Sequence, residues 1–140
     1  MADTFQFRLI TPTGIAYEGP VEQAIAIGAL GEFAVLAAHT DYITAIEPGM
    51  LTLRLAGGAT NEYLLSGGLA EVRDGAMVIL ALDAEPPASV DSVAAASEVQ
   101  AAEEKLAHLS AYAPDYAEAD HQLKLARARA NATQLRRTTH

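Results

Sequence analysis

The hydrophobic pattern of this chain changes its period at one place, and that change limits the folds that the chain can adopt. Before residue 85 apolar and polar residues alternate in short runs, such as Phe5, Phe7 and Leu9, which is typical of half-buried β-strands. Residues 85–87 (EPP) end this pattern, because consecutive prolines stop a strand. After them apolar residues recur every three or four positions, as on a helix. The sequence therefore predicts a β-domain, residues 1–87, followed by a helical region, residues 88–140.

The β-domain is predicted to contain about eight to ten short antiparallel strands, because turn residues recur at hairpin spacing with no helical period between them. Such a series favours a sandwich or a flattened barrel. The turns lie at residues 11–14 (TPTG), 48–49 (PG), 57–58 (GG), 66–68 (SGG) and 74–75 (DG). In the second predicted strand we expect Val21, Gln23, Ile25 and Ile27 to share one face.

Two helices are predicted in residues 88–140, and they form an antiparallel hairpin. The first begins after a cap at Ser89 or Asp91 and extends for roughly 30 Å. The second follows Pro114. The predicted contact seams are residues 92, 95, 99, 102, 106, 109 and 113 on the first helix, and residues 116, 119, 123, 126 and 130 on the second. Alanine alternates with larger residues in both seams, and a buried alanine contributes little, so we expect the hairpin to be held only loosely to the β-domain.

Composition excludes several classes of function. The chain has no cysteine, hence no disulfide and no thiolate chemistry. Its net charge of −9 argues against nucleic-acid binding, which requires clustered basic residues. The N-terminus lacks the pattern of a signal peptide, and no run approaches the roughly 20 apolar residues of a membrane span. We therefore expect a cytoplasmic protein that does not insert into a membrane directly.

No catalytic motif is found in the sequence, so we predict no catalytic residue, no metal site and no cofactor. One candidate deserves comparison with its alternative: His39 lies near Glu32 and Asp41, a set that suggests a metal or acid–base site. The same residues also fit a turn histidine with hydrogen-bonded neighbours. Two functions therefore remain open at this point. One is a metal-dependent enzyme built on these three residues, and the other is a general adaptor, a β-sandwich with a coiled-coil arm.

Charge is distributed unevenly along the chain. Residues 1–87 hold three basic and eleven acidic residues, whereas residues 121–140 hold five basic residues and no acidic one. The five are Lys124, Arg127, Arg129, Arg136 and Arg137. This pattern fits either a solvated helix face or an arm that binds an acidic partner.

Three segments in the β-domain resemble motifs of the ε subunit of bacterial F-type ATP synthases, in the same order and spacing. They are residues 31–39 (GEFAVLAAH), residues 43–49 (ITAIEPG) and residues 66–72 (SGGLAEV). With a sandwich followed by two helices, the resemblance covers essentially the whole chain. It implies a non-catalytic rotor subunit of the central stalk in a proton-translocating ATP synthase, peripheral on the cytoplasmic face of the bacterial inner membrane.

The resemblance also implies partners. In this family the sandwich packs on the γ subunit, and its base touches the ring of c subunits; the residues matching that region are Gly31, Glu32 and His39. The C-terminal helices can extend toward the α and β subunits and inhibit ATP hydrolysis. The resemblance therefore makes the five basic residues of 121–140 candidates for that inhibitory contact.

One family motif is incomplete here. Some members bind ATP through [IL]-D-x-x-R-A at the start of the first helix, and residues 90–95 (VDSVAA) occupy that place. Asp91 matches the aspartate, but Ala94 stands where the arginine is expected. Loss of a charge-assisted contact lowers affinity roughly ten- to a hundred-fold, so we predict weak or absent ATP binding.

Overall fold

A computed structural model describes residues 3–138, with side chains described for residues 3–134. The predicted β-domain and the predicted pair of helices are both confirmed. The chain divides into two compact units, residues 1–85 and residues 86–140. Within residues 3–138, no helix is both long enough and apolar enough to cross a membrane.

The first unit contains ten strands, at the upper end of the predicted number. They are β1 (Phe5–Thr11), β2 (Gly14–Val21), β3 (Gln23–Gly28), β4 (Gly31–Leu36), β5 (Tyr42–Ile46), β6 (Gly49–Arg54), β7 (Thr60–Leu65), β8 (Gly68–Arg73), β9 (Ala76–Ala81) and β10 (Ala84–Glu85).

The ten strands form two layers of five. The back sheet has the order β4-β3-β6-β7-β10, and the front sheet has the order β5-β8-β9-β1-β2. The two layers belong to one continuous hydrogen-bonded sheet, because the pair Gly28–Ile46 joins β3 to β5, and it is the single pair between those strands within residues 3–85. One expectation is wrong: β1 pairs with β9 in parallel, although we predicted antiparallel strands throughout. The reason is that β1 and β9 are distant in sequence, so no hairpin turn constrains their direction.

A single apolar core lies between the sheets, because alternate residues of every long strand point inward. Phe5, Phe7 and Leu9 of β1 are buried, as the alternation predicted. In β3 the prediction is confirmed for Gln23, Ile25 and Ile27, which share one half-buried face. It is wrong for Val21, which is the last residue of β2, and the residues of β3 that face the core are Ala24 and Ala26. The chain bends after Val21, at residue 22, so the alternation does not run on from β2 into β3.

The second unit is the predicted hairpin. A short 3-10 turn (Pro87–Ser89) precedes α1 (Ser92–Ala107), and α2 (Tyr116–Thr138) follows. Every predicted seam position is buried or half-buried, although positions 109 and 113 lie beyond the end of α1. At 16 residues α1 is about 24 Å long, shorter than expected. It ends early because the Ser110 hydroxyl accepts a hydrogen bond from the Tyr112 backbone N–H, and Pro114 disfavours helix just before it.

Candidate partner-binding surfaces

The outer surface of the front sheet carries a continuous row of apolar side chains. Strand register places Ala45 beside Leu69, Leu69 beside Leu80, Leu80 beside Ile10, and Ile10 beside Ile15. We call these five residues the apolar row. Leu69, Leu80 and Ile15 are 42%, 49% and 51% exposed, and Ile10 is half-buried. With strands about 4.8 Å apart, the row spans about 19 Å across all five strands.

The composition of the apolar row is typical of an association surface. A sheet face that remains in water normally carries polar residues, so that apolar and polar side chains alternate along each strand. Here strand β9 is apolar on both faces: Met77 and Ile79 fill the core while Val78 and Leu80 point outward. A contiguous exposed apolar surface of this kind marks a site that another protein covers.

Sequence reasoning missed the apolar row, although β9 carried the signal. A strand that is apolar at every position is covered on both faces. The row itself could not be derived from sequence, because it depends on the β1–β9 register.

Gly31 and Glu32 lie at the tip of the β3–β4 hairpin. Gly28 pairs with Gly31, which leaves Ala29 and Leu30 as a two-residue turn. Gly31 has φ = 115°, a value that favours glycine. Leu30 is 96% exposed, and the Glu32 side chain is also exposed. The tip therefore presents one apolar and one acidic side chain to solvent.

His39 lies in the connection between β4 and β5, where its Nδ1 is 2.7 Å from the Thr40 carbonyl oxygen, so this nitrogen is the natural donor. Its ring lies 6.2 Å from the Tyr42 ring, which in turn lies 5.7 Å from Phe33, next to Glu32 in the chain. A run of three aromatic rings thus connects His39 with the strand that carries Glu32. The structure gives no direct contact between His39 and Glu32 in the part of the chain that it describes.

The metal-enzyme alternative is not supported. Among the described residues, no three His, Cys, Asp or Glu side chains are grouped as a metal would require. Asp41 instead accepts a hydrogen bond of 3.2 Å from the Asp74 backbone N–H, which ties the β4–β5 connection to the β8–β9 turn. Asp74 has φ = 52°, so this bond holds a turn in a left-handed conformation.

Two basic residues of α2 form ion pairs within the hairpin. Arg129 Nε is 3.2 Å from a carboxylate oxygen of Glu98, and an Arg127 guanidinium nitrogen is 3.5 Å from Glu103. Both carboxylates belong to α1, so both ion pairs connect the two helices. Arg129 is the more protected cation, with a side chain 26% exposed against 57% for Arg127.

Of the other three residues predicted for the inhibitory contact, only Lys124 has a side chain that the structure describes. Lys124 Nζ is 3.4 Å from an Asp120 oxygen four residues earlier, a pair within α2. Arg136 and Arg137 lie in the last turns of α2, and their side chains are outside the described residues.

Asp91 caps the first helix. Its carboxylate oxygen accepts hydrogen bonds from the backbone N–H groups of Val93, at 2.8 Å, and Ala94, at 3.1 Å. Two of the N–H groups that a helix leaves unpaired are thereby satisfied. Of the two capping residues that the sequence offered, Asp91 is the cap, and Ser89 instead donates to the Pro86 carbonyl at 2.8 Å.

This architecture defines a class: a β-sandwich followed by a helical hairpin. The family model for the β-sandwich domain of the ATP synthase delta/epsilon chain matches residues 4–87. The ATP synthase epsilon chain of Bradyrhizobium sp. strain BTAi1 is 39% identical over 103 residues, which cover 74% of this chain and 76% of the relative. That of Rhodopseudomonas palustris strain BisB18 is 39% identical over 104 residues, with the same coverage. The chain belongs to the family of ATP synthase epsilon chains.

Solved structures agree on the fold. A chain of the Euglena gracilis mitochondrial ATP synthase (OSCP/F1/c-ring, rotational state 1) superposes with a TM-score of 0.81 at 23% identity, covering 94% of this chain and 81% of that one. A chain of the Tetrahymena thermophila mitochondrial ATP synthase central stalk and c-ring gives a TM-score of 0.66 at 20% identity, covering 94% and 98%. Family membership makes this chain a subunit of ATP synthase that is not itself the catalyst, and it replaces the adaptor alternative.

Proposed function

We propose that this chain is a central-stalk subunit that couples the γ subunit to the c-subunit ring of a proton-driven ATP synthase. The apolar row carries the proposal, since a rotor subunit needs a broad, permanent contact with the shaft that turns with it. The row provides an exposed apolar surface on a rigid five-stranded sheet. The two solved relatives were determined within stalk and c-ring assemblies, which supports the same placement.

Binding of γ through the apolar row is tested by Leu69→Glu with Leu80→Glu. Both side chains are roughly half exposed, so each gains about 1 kcal/mol when a partner covers it. Losing both weakens binding about 30-fold, before the cost of desolvating two carboxylates. The measurement is co-purification with γ, followed by titration.

The matched control is Leu36→Glu with Val93→Glu, two exposed apolar residues on the back sheet and on α1. We expect the control to bind γ as the unaltered chain does, with both variants folded by circular dichroism. Equal binding by the two double variants would contradict the assignment of this face.

For the c-ring contact we propose the hairpin tip, with Gly31 and Glu32, and the neighbouring His39. Leu30→Asp replaces the most exposed apolar residue of the tip with a charge. We expect γ binding to be kept while ATP-driven proton pumping falls relative to ATP hydrolysis. Ala59→Asp, in the β6–β7 turn, is the control for a charge added at another turn. A ratio of pumping to hydrolysis that is unchanged by Leu30→Asp would refute this contact.

We propose that the C-terminal helices inhibit ATP hydrolysis by binding the α and β subunits through Lys124, Arg127, Arg129, Arg136 and Arg137. The support is the charge of residues 121–140, which is entirely basic, and the alanine-rich seam that lets the hairpin open. Replacing the five residues with glutamine, or deleting residues 88–140, should raise hydrolysis in the reconstituted complex. Unchanged hydrolysis in both would refute the inhibitory role.

The location that follows is the cytoplasmic face of the bacterial inner membrane, where the chain is held through γ and the c ring. It needs no membrane insertion and no nucleic acid. Fractionation of cells should recover the chain with membranes that contain the complex, and release it with the catalytic head when that head is stripped. Recovery in the soluble fraction of cells with an intact complex would contradict this location.

A further inference from the structure

Alanine makes up much of the buried apolar surface of the hairpin. Among the side chains that the structure describes in α1 and α2, up to residue 134, four of the five buried apolar residues are alanines: Ala95, Ala119, Ala126 and Ala132, beside Leu123. An alanine buries one methyl group, so such a seam contributes little compared with a leucine seam. A groove of about 400 Å³ runs between the helices, with Ala101 and Leu125 among its lining residues. Polar contacts therefore form a large share of what holds α1 against α2.

Those polar contacts use residues that the inhibitory contact needs. Arg129 and Arg127 pair with Glu98 and Glu103 across the hairpin, at 3.2 Å and 3.5 Å. A guanidinium group that is held by one carboxylate meets a second carboxylate less favourably, because its charge is already compensated. The closed hairpin and an acidic partner surface thus compete for the same two cations.

We propose that Glu98 and Glu103 are internal competitors: they latch the hairpin closed and occupy the two arginines until an acidic partner surface replaces them. The inference rests on the proposed inhibitory role of the C-terminal helices, and it names what regulates that role. Exposed ion pairs are each weak, so the two together shift the ratio of closed to open hairpin about 2- to 30-fold. A shift of that size suits a switch that a partner can move in both directions. It also makes the latch weaker at high ionic strength.

The test removes the competitor and keeps the arginines, with Glu98→Gln and Glu103→Gln in the full chain assembled into the complex. The control is Glu104→Gln with Glu118→Gln, which changes the net charge equally. Among the described residues, each of these two carboxylates accepts a hydrogen bond from a glutamine of its own helix and makes no ion pair across the hairpin. Glu104 accepts from Gln100, and Glu118 accepts from Gln122.

Two readouts separate the latch from the inhibitory role. The chain has no cysteine, so cysteines placed at the exposed positions 97 and 131 give a single pair of spin labels, one on each helix. We expect the competitor variant to show a larger fraction of long label distances and stronger inhibition of hydrolysis, with the control unchanged in both. An unchanged distance distribution in the competitor variant overturns the latch. Longer distances with unchanged hydrolysis support the latch and refute the inhibitory role.

A charge swap gives the sharpest comparison. Glu98→Arg with Arg129→Glu restores an ion pair across the helices but presents the wrong charge to an acidic partner. We expect label distances like those of the unaltered chain, together with weaker inhibition of hydrolysis. Inhibition that equals that of the unaltered chain would overturn the competition for Arg129.

Discussion

Substitution of Gly68 by alanine should destabilise the β-domain far more than the same change at an open glycine. Gly68 begins β8 with φ = 150°, and a Cβ atom there would overlap the Leu80 carbonyl oxygen and lie 2.9 Å from Ala81 Cα. These are backbone atoms of β9, so no side chain can rotate away. The close approach of β8 and β9 thus explains why the second glycine of the SGG motif is a glycine.

The magnitude follows from two contributions. An alanine at this positive φ costs about 1–2 kcal/mol. Forcing β9 away adds about 1–3 kcal/mol of overpacking, together with one or more weakened ladder hydrogen bonds. We expect a loss of about 3–5 kcal/mol, a large part of the 5–15 kcal/mol that is typical of a domain.

The assay is urea unfolding followed by near-ultraviolet circular dichroism, which reports on ordered aromatic pairs of the β-domain such as Phe7 with Tyr17. With a slope of about 1–3 kcal/mol per molar urea, the midpoint should fall by about 2 M. The control is Gly58→Ala, at φ = 93° with no atom near its Cβ, which should lose about 1 kcal/mol through backbone strain alone. Losses within 1 kcal/mol of each other would refute the steric argument.

Three other predictions concern single side chains. Asp91→Ala should lower the stability of α1 by about 1 kcal/mol in thermal unfolding, whereas Asp91→Asn, which can still cap, should lose less; equal losses would contradict the capping role. Burial raises the pKa of the Tyr63 hydroxyl above its usual value near 10, against the opposing hydrogen bond of Asn61. The stabilisation linked to this proton is therefore complete below the unfolded pKa and lost as pH rises through the folded one. Ultraviolet titration should show a late tyrosinate step that Tyr63→Phe removes, and its persistence in that variant would disprove the assignment. Finally, calorimetry should detect weak or no ATP binding, and Ala94→Arg should strengthen it about 10- to 100-fold; a micromolar dissociation constant for the unaltered chain would refute the argument from the missing arginine.

The sequence pattern predicted those features that depend only on interactions between residues close together in the chain. Helix periodicity depends only on residues a few positions apart, so the seams around Ala95 and Leu123 could be predicted position by position. Glycine turns marked most of the strand ends for the same reason. The early end of α1 was not predicted, because the Ser110 turn competes with the helix over only a few residues.

Features that depend on distant pairing could not be predicted. The apolar row requires the register of Ile10 against Leu80, seventy positions apart in the chain. The ion pairs of Arg127 and Arg129 require the axial alignment of two helices, and a basic run alone is equally compatible with a free face. Val21 was wrongly grouped with Ile25 and Ile27 because the bend at residue 22 interrupts the alternation.

The parallel pairing of β1 with β9 has a consequence for how the subunit is made. On the ribosome the β1–β2 hairpin is synthesised before the rest of the β-domain, yet its further neighbour in the sheet, among the described residues, is β9, which ends at residue 81. A lone hairpin is at best marginally stable, so β1 and β2 wait for nearly the whole domain to be translated. Because Ile10 and Leu80 become neighbours only then, a truncated or partly translated chain does not display the complete apolar row. Partner binding through that row would thereby select finished subunits for assembly.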